Sequence, residues 1–448
     1  MNQPKTKPVF AGAEQEANQN LQYQRGFGWE FQSEAVPGAL PAHNNSQRPP
    51  MGLYSELITT TSFMAPRAFN RRSYVFRLRP SVVQGRPKLL EHSLLKTAPL
   101  PGIVNPTQMR WAPFAVPDKA GDFVDGLATI CANGDAKLQA GMAVHIYLAN
   151  RSMDRRYFAC NDGELLIIPQ EGSLRIPTEF GIVAVEQGEF IIIPRGVKFR
   201  VELTTSTARG LICENYGAPF RLPELGPIGS TGLANPINFC VPTAAYEDQK
   251  GEMEFIQKLG GRLWTSLLTC SPLDVVAWRG STVPCKFKMT DFVTMGAVSH
   301  EHADPSIFTA LTSPSDAVLG ANVDLIIIGP QWIAADDTFR TAPFHRNAAV
   351  EFAAVIKGHS PNKAKGAGAG SMQLHNAHAP HGPDPETFRT ATARDPAPFK
   401  IDGFIFIALE TRFPMVTTDF ALNAPESESG YPDCWAAYRE ESKELQLS

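Results

Sequence analysis

The chain has 448 residues, with 41 Lys and Arg against 45 Asp and Glu, so its formal net charge is -4. This balance argues against a protein that binds nucleic acid or a membrane surface, because such proteins carry a basic excess. With 43% hydrophobic and 19% charged residues, the composition is that of a globular chain of about two or three domains and excludes a disordered or fibrous protein.

The first segment, residues 1–22, is polar and predicts a mobile tail without the apolar stretch of a signal peptide. The longest apolar runs, such as residues 325–328, are far too short to span a bilayer. The seven cysteines are scattered and form no Cys-x-x-Cys pair, which is typical of a reducing compartment. We therefore expect a soluble cytoplasmic protein with neither a membrane nor a nucleic acid as its partner.

From residue 73 onward, short β-branched and aromatic runs alternate with Gly, Pro and Asn turns. Runs of this kind are typical of strands, and their close, even spacing predicts a sandwich or barrel. The helical signal is small: Asp433 is placed to cap one last helix at residues 434–446. The sequence therefore predicts a mainly β protein with few helices.

A motif in the first half indicates the type of β fold. Gly188 is followed by the run EFIII and then by Pro194 and Gly196, which predicts a strand between two turns. This spacing resembles the second motif of the cupin barrel, in which a histidine normally follows three residues later, but here that position is Phe199. We predict two cupin-like β-sandwich (jelly-roll) parts, an N-terminal domain at 23–290 without a metal and a C-terminal catalytic domain at 291–448.

The histidines are unevenly distributed. Three isolated ones, His43, His92 and His145, are interpreted as structural, whereas seven of the ten lie between residues 300 and 381. These seven are His300, His302, His345, His359, His375, His378 and His381. A dense group of imidazoles with carboxylates nearby and no cysteine favours a metal site of nitrogen and oxygen ligands.

Geometry narrows the choice of ligands. In a straight strand His345 and Glu351 would share a face but lie roughly 20 Å apart, so the chain must bend between them if both bind one ion. The pattern His345-x-Asn347-x3-Glu351, followed by Gly358, resembles the first cupin motif. A third ligand from a distant strand would complete two histidines and one carboxylate, a set typical of non-haem Fe(II). On this segment alone, a surface His and Glu beside a turn remains an equal alternative.

Longer blocks indicate a family. They are GFGWEFQSEAVPGALP (26–41), LGPIGSTGLANP (225–236), Tyr-Glu-Asp (246–248), HADPSIFTALT (302–312), FHRNAAVEF (344–352) and PHGPD (380–384). Through them the chain resembles the homogentisate 1,2-dioxygenase family over nearly its whole length.

The resemblance implies one Fe(II) per chain, held by His345, Glu351 and His381. It implies the conversion of homogentisate and O2 to maleylacetoacetate in tyrosine and phenylalanine catabolism, by a hexamer of two trimers. It also implies that His302 is the catalytic acid/base residue.

The resemblance places His375, together with His381, near the substrate. Lys363 is a further candidate, because an ammonium group there would meet an acidic side chain on the substrate; a solvated loop lysine is the alternative. A rival metal pair, His300 and His302, is less favoured because it has no spaced carboxylate partner.

Two departures from the family pattern affect the substrate. Ser360 stands where the family usually has a tyrosine, and Phe344 where it often has another. Since a pocket built to hydrogen-bond a substrate discriminates strongly through that bond, one alternative is a paralogue that cleaves another hydroquinone or a gentisate-like ring. A non-catalytic cupin-like binding protein is the third hypothesis.

Overall fold

The computed structural model describes residues 20–224, 234–292, 300, 305–316 and 320–439. All but the last three residues of the predicted tail lie outside these ranges, and so does His302. The structure therefore bears on the metal and substrate candidates of the C-terminal half, but not on the predicted acid/base residue.

The described chain is mainly β, which confirms the predicted fold class. The strands are β1 (Tyr23–Arg25), β2 (Phe31–Glu34), β3 (Tyr54–Thr59), β4 (Arg72–Arg77), β5 (Lys88–Leu90), β6 (Met109–Trp111), β7 (Leu127–Ala132), β8 (Met142–Ala149), β9 (Arg156–Cys160), β10 (Glu164–Glu171), β11 (Leu174–Thr178), β12 (Gly181–Val185), β13 (Glu189–Ile193), β14 (Glu202–Leu203), β15 (Ala208–Asn215), β16 (Cys240–Pro242), β17 (Lys250–Leu259), β18 (Arg262–Cys270), β19 (Val275–Gly280), β20 (Cys285–Lys288), β21 (Thr309–Ser313), β22 (Val323–Ile328), β23 (Gln331–Ile333), β24 (Val350–Lys357), β25 (Met372–His375), β26 (Phe399–Ile401), β27 (Ile405–Thr411) and β28 (Val416–Thr417).

Helices are short among the described residues. The α-helices are α1 (Pro385–Ala393) and α2 (Asp419–Leu422), and the 3₁₀ segments are Pro50–Gly52, Ser81–Val83, Ala136–Leu138, Pro236–Asn238, Met289–Asp291, Pro305–Phe308 and Tyr431–Arg439. The last of these lies where the sequence predicted a terminal helix, but it begins before Asp433 and has 3₁₀ geometry; residues from 440 onward are outside the described ranges.

The chain forms two compact units. The first contains the described residues up to Leu100, together with Val116–Arg221 and Asn235–Asp291. The second contains Pro101–Ala115, the described residues of 222–234, and those from Phe292 onward. The short segment around β6 thus belongs with the C-terminal part, although it precedes most of the N-terminal part in sequence.

The first unit is built around an antiparallel sheet with the strand order β1-β16-β20-β13-β10-β15-β8-β7. Its central strands are apolar on both faces; β10 is buried from Glu164 to Gln170. Phe199, at the place of the missing cupin histidine, packs edge-on against Phe158 and Phe123, with ring centroids 5.7 and 6.1 Å away. The residues at this position therefore form a packed apolar core.

One group of buried polar side chains in the first unit is hydrogen-bonded internally. His145 is bonded on both ring nitrogens, to Thr129 at 2.9 Å and to Glu214 at 2.9 Å. Lys258 donates to Glu214 at 2.6 Å and to Asp162 at 2.8 Å. Because each partner is matched, this network has the character of a structural one, in keeping with the interpretation of His145.

The second unit contains a six-stranded sheet in the order β21-β22-β27-β24-β25-β6. Its antiparallel register pairs Glu351 on β24 with His375 on β25 and with Glu410 on β27. Paired residues project from the same face of a sheet. The sheet therefore brings residues separated by up to 59 positions onto one surface, which carries the candidate site.

Candidate metal centre

Three side chains converge at the end of β24. His345, Glu351 and His381 each offer one ligand atom, and these atoms all lie within 4.8 Å of one another. Among the described residues this is the one group of histidine, cysteine and acidic side chains with such a geometry. The structure thus brings together the three residues that the family resemblance implies as iron ligands.

The bend required by the sequence lies in residues 345–349. His345 is outside the strand and pairs instead with His381, through backbone hydrogen bonds of 3.0 and 3.1 Å in an isolated antiparallel bridge. Glu351 is the second residue of β24. The chain therefore turns between the two ligands, and the distant ligand His381 is held beside His345 by main-chain bonds.

Main-chain carbonyls orient both imidazoles. The Nδ1 atom of His345 lies 2.7 Å from the carbonyl oxygen of Pro343, and Nδ1 of His381 lies 2.9 Å from that of Ala379. A carbonyl only accepts, so each Nδ1 carries the proton and each Nε2 keeps its lone pair. Histidines that bind metals are commonly fixed in this way by their second nitrogen.

An unpaired buried nitrogen is a second observation that supports a metal ion at this site. Among the described residues, Nε2 of His381 is buried and has no hydrogen-bond partner. Nε2 of His381 is 3.6 Å from Glu351, too far for a hydrogen bond but close enough for both atoms to share an ion. A buried lone pair without a partner is costly, and a cation would remove that cost.

The electrostatics favour the ligand forms of Glu351 and His345. Burial raises the pKa of Glu351, but the two histidines beside it outweigh this effect and hold its pKa well below the ordinary value. Burial lowers the pKa of His345 and lowers that of His375 to about 4. At His381 burial is outweighed by Glu351, and the pKa lies above its ordinary value.

An open cavity of about 700 Å³ leads to the two ligand histidines. Phe344, Trp435 and Tyr438 give it an aromatic lining, and Arg346 and Arg439 add positive charge. Pockets for small organic ligands are usually apolar with a few polar groups. The cavity therefore suits an aromatic ring that carries an acidic substituent.

Comparison with known families gives the decisive observation. The profile described as "Homogentisate 1,2-dioxygenase N-terminal" matches residues 22–289, and the one described as "Homogentisate 1,2-dioxygenase C-terminal" matches residues 290–442. The chain belongs to the homogentisate 1,2-dioxygenase family. The predicted family is confirmed, and with it the class of enzyme, a dioxygenase.

Relatives within the homogentisate 1,2-dioxygenase family extend over nearly the whole chain. Homogentisate 1,2-dioxygenases from two strains of Pseudomonas putida are 48% identical over 418 residues, which are 93% of this chain and 96% of theirs. Among solved structures, an oxalate decarboxylase variant from Bacillus subtilis has a TM-score of 0.27 at 12% identity and covers 78% of this chain and 87% of its own. A cupin 2 conserved barrel domain protein from Leptotrichia buccalis has a TM-score of 0.26 at 9% identity, with 65% and 89% covered.

Lys363 has close partners in the structure. Its side chain is buried, its ammonium group donates to the carbonyl of Gly382, and it lies 4.2 Å from the ring centroid of Trp435. Burial lowers the pKa of Lys363 to about 8. These contacts tie Lys363 to the residue that follows His381.

The two departures from the usual homogentisate 1,2-dioxygenase pattern differ in environment. Ser360 is buried, and its hydroxyl accepts a hydrogen bond of 3.3 Å from the backbone of Asn362. Phe344 is half exposed at the cavity wall, with its ring 5.6 Å from that of Tyr438. A tyrosine from the C-terminal segment, Tyr431, supplies a phenol close to His375 instead, at 3.4 Å.

The remaining histidines of the cluster lie outside the group of three. His359 hydrogen-bonds the carbonyl of Ser360 at 3.0 Å, and the backbone of His378 donates to Asn347 at 2.7 Å. His300 is exposed. The rival pair of His300 and His302 is not tested, because His302 is outside the described residues.

Sequence reasoning missed two carboxylates on the same sheet face. Glu410 pairs with Glu351, and Asp324 pairs with Glu410. Burial, reinforced by Glu351 and Asp324, raises the pKa of Glu410 to about 7. The available signal was an acidic residue inside each of two apolar strand runs, VDLIII and IFIALET.

The structure also bears on membrane association. Among the described residues, every helix is too short or too polar to span a membrane.

Proposed function

We propose that this protein is an Fe(II)-dependent ring-cleaving dioxygenase that converts homogentisate (2,5-dihydroxyphenylacetate) and O2 to maleylacetoacetate. The observation that carries the proposal is the convergence of His345, Glu351 and His381 within 4.8 Å in a chain of this family. Two imidazoles and one carboxylate on one side of an ion leave positions open for other ligands, which is typical of non-haem Fe(II) oxygenases.

We assign one Fe(II) per chain to these three side chains. When bound, Fe(II) would orient the ring oxygen and O2 next to each other and would allow electron transfer between them. The chain itself contributes the orientation of both imidazoles through the carbonyls of Pro343 and Ala379. It also keeps the carboxylate of Glu351 ionised, because the neighbouring imidazoles hold its pKa low.

The reaction requires that a ring hydroxyl lose its proton. We assign this acid/base role to His302, as the family resemblance implies, since an imidazole has an ordinary pKa near ~6.5 and exchanges protons at neutral pH. His375 is stacked on His381 with ring centroids 3.9 Å apart, and burial lowers its pKa to about 4. We propose that His375 and His381 border the ring of the substrate.

Lys363 was the predicted partner of the acidic substituent. Its hydrogen bond to Gly382 and its position over Trp435 instead favour an indirect role, in which Lys363 holds the segment that carries His381. Arg346 and Arg439 line the cavity and offer further positive charge to an acidic ring.

The family resemblance also suggests the pathway, the compartment and the oligomeric state of this protein. We propose a place in tyrosine and phenylalanine catabolism, in the cytoplasm, and a homo-hexamer made of two trimers.

The experiment is anaerobic reconstitution with Fe(II), followed by O2 uptake with a panel of dihydroxylated rings. Uptake with homogentisate as the preferred ring, and formation of maleylacetoacetate, is the expected result. A preference for another hydroquinone or for gentisate would favour the paralogue, which the buried Ser360 in place of a tyrosine supports. No uptake with any ring would favour a binding protein.

Variants separate the assigned roles. Glu351→Ala should lose Fe(II), whereas His302→Ala should keep Fe(II) and lose turnover. Iron content after gel filtration and O2 uptake are measured on the same samples. Equal loss of iron in both variants would overturn the assignment.

A further inference from the structure

A single arginine connects three parts of the second unit. Arg110 lies on β6, is 9% exposed, and donates from Nε to Oε2 of Glu428 at 2.9 Å. Its Nη1 donates to the carbonyl of Lys365 at 3.3 Å, and its Cζ lies 4.5 Å from the ring centroid of Tyr431. A guanidinium is a rigid, planar fork of N–H donors, so one side chain can hold all three groups at once.

Main-chain bonds join the same parts of the chain. The backbone of Ala112 donates to the carbonyl of Glu426 at 2.8 Å, and that of Glu428 donates to Arg110 at 2.9 Å. The C-terminal segment, residues 426–439, therefore begins as an attachment to the edge of β6. The guanidinium of Arg110 reinforces this attachment through its side-chain bonds.

The position of the guanidinium depends on a glycine. Gly366 has φ +75°, and a Cβ there would lie well inside contact distance of Nη2 of Arg110. The guanidinium can move aside only by giving up its bonds to Glu428 and Lys365. The loop at 363–366 thus approaches Arg110 as closely as it does because residue 366 has no side chain.

Both parts that Arg110 holds reach the backbone that follows His381. Lys363, in the loop, donates to the carbonyl of Gly382. Trp435, in the C-terminal segment, directs Nε1 to the carbonyls of Gly382 and Pro383, at 3.3 and 3.2 Å. Nζ of Lys363 lies 4.2 Å from the ring centroid of Trp435, so the two parts also contact each other.

The C-terminal segment also forms one wall of the cavity beside the ligand histidines. Four of its residues line that cavity: Pro432, Trp435, Tyr438 and Arg439. Arg110 is not among the lining residues. An effect of Arg110 on a bound ring must therefore pass through this wall.

We propose that Arg110 is a positioning residue for the substrate. Its guanidinium holds the loop at 363–366 and the C-terminal segment together, and these two parts fix the cavity wall and the backbone after His381. The identity of the substrate rests on the proposed function. The placement of the two parts can be measured without metal or substrate, so the two proposals fail in different experiments.

The first test is hydrogen exchange in the metal-free protein. Arg110→Met keeps an apolar stem and removes the fork, and the side chain of Glu428, which is 29% exposed, stays partly hydrated. We expect exchange at 380–384 and 429–439 to become about tenfold faster, the effect of losing a hydrogen bond to a charged group. Exchange in β10 and β15 should stay the same.

A buried ion pair of the first unit provides the matched control. Arg175 is 4% exposed and pairs with Glu202. Arg175→Met should lower the free energy of unfolding, as Arg110→Met does. It should leave exchange at 380–384 and the KM of homogentisate unchanged.

The second test uses the Fe(II) protein in turnover. In Arg110→Met we expect the KM of homogentisate to rise about tenfold and kcat to stay within about twofold, because the wall acts on binding. His381 keeps its own hydrogen bonds to Ala379 and to the backbone of His345 in this variant.

Gly366→Ala tests the geometry without removing a donor or an acceptor. Its methyl group should displace the guanidinium and raise KM about as much as Arg110→Met does. In the double variant the methyl group meets no guanidinium, so Gly366→Ala should add less than about twofold to the effect of Arg110→Met.

Four results would overturn the proposal. They are unchanged exchange at 380–384 in metal-free Arg110→Met, an equal rise in KM from Arg175→Met, a fall in kcat at unchanged KM, and full additivity of Gly366→Ala and Arg110→Met. Absence of turnover with every ring would overturn the proposed function instead, and the exchange result would then decide the role of Arg110.

Discussion

At the scale of single residues, the site depends on histidines that use one ring nitrogen for a hydrogen bond to the backbone and leave the other free for the site. His345 and His381 each give Nδ1 to a backbone carbonyl and keep Nε2 for the site. Lys363 acts on the site indirectly, because its ammonium group donates a hydrogen bond to the carbonyl of Gly382, the residue after His381. Substitutions at this scale should therefore change affinity through orientation.

We predict that Lys363→Met raises KM equally for homogentisate and for 2,5-dihydroxytoluene, which has no carboxylate. The reason is that Gly382 loses a hydrogen bond, which should also lower the free energy of unfolding by about 1–3 kcal/mol. Lys365→Met, two residues away and exposed, is the matched control and should change neither quantity. A loss confined to homogentisate would instead show that Lys363 binds the carboxylate.

A second prediction concerns a buried acid of the first unit. Burial raises the pKa of Glu164 to about 7, from an ordinary value of 4.5. The pKa of this carboxyl is higher in the folded chain than in the unfolded chain. The protonated carboxyl is therefore compatible with the fold at a pH below its unfolded-state pKa, and the associated stability is lost as the pH rises through about 7. Glu164→Gln, which keeps the acceptor for the backbone of Phe220, should therefore stabilise the protein at pH ~8 relative to pH ~5, by up to about 3 kcal/mol.

Urea unfolding at the two pH values measures this difference. Glu171→Gln is the control, since that side chain is half exposed in the same unit. An equal effect of Glu164→Gln at both pH values would show that Glu164 is not a neutral acid in the folded protein.

At the scale of elements, the ends of β24 and β27 meet closely. Gly358 follows β24 with φ +76°, and a Cβ there would lie 2.4 Å from the carbonyl oxygen of Gly403. Gly403 has φ +67° but open space around it. The two glycines therefore share the backbone conformation and differ only in the steric contact.

We predict that Gly403→Ala destabilises the protein by about 1–2 kcal/mol, the cost of a left-handed residue with a side chain. Gly358→Ala should cost about 1–3 kcal/mol more, because the new methyl group meets main chain that cannot move aside. Thermal unfolding of both variants measures the difference. Equal costs would show that the crossing of the two strand ends is looser than the structure describes.

At the scale of the whole molecule, metal binding should act on one unit. A ligand that binds only the folded state stabilises it, by about 2.7 kcal/mol at a concentration of ~100 times its Kd. We predict that Fe(II), added without O2, slows hydrogen exchange at residues 343–352 and 372–383. In β10 and β15 of the first unit, exchange should stay the same.

Mass spectrometry of peptic fragments resolves these regions. The same experiment with Glu351→Gln should show no protection in either unit. Uniform protection of the chain would indicate that iron acts through global stability or association of subunits instead of through the proposed ligands.

The sequence alone supports several predictions about this protein. The alternation of short apolar runs with turn residues predicts a mainly β chain, and the loss of the cupin histidine at Phe199 predicts a metal-free first half. The pattern from His345 to Glu351 also predicts a bend between them. These are local properties, set by the spacing of residues along the chain.

Only the tertiary structure decided which distant groups meet. These contacts are the pairing of Glu351 with Glu410 and His375, the bridge between His345 and His381, and the phenol of Tyr431 beside His375, and they join positions up to 59 residues apart. Strand register and main-chain bonds fix these contacts, and a one-residue slip would turn every side chain of a strand to the opposite face. Residue spacing therefore predicted a metal site of histidine and carboxylate type, and the family resemblance supplied its three residues. The sheet and the C-terminal segment decided the orientation and the neighbours of these side chains.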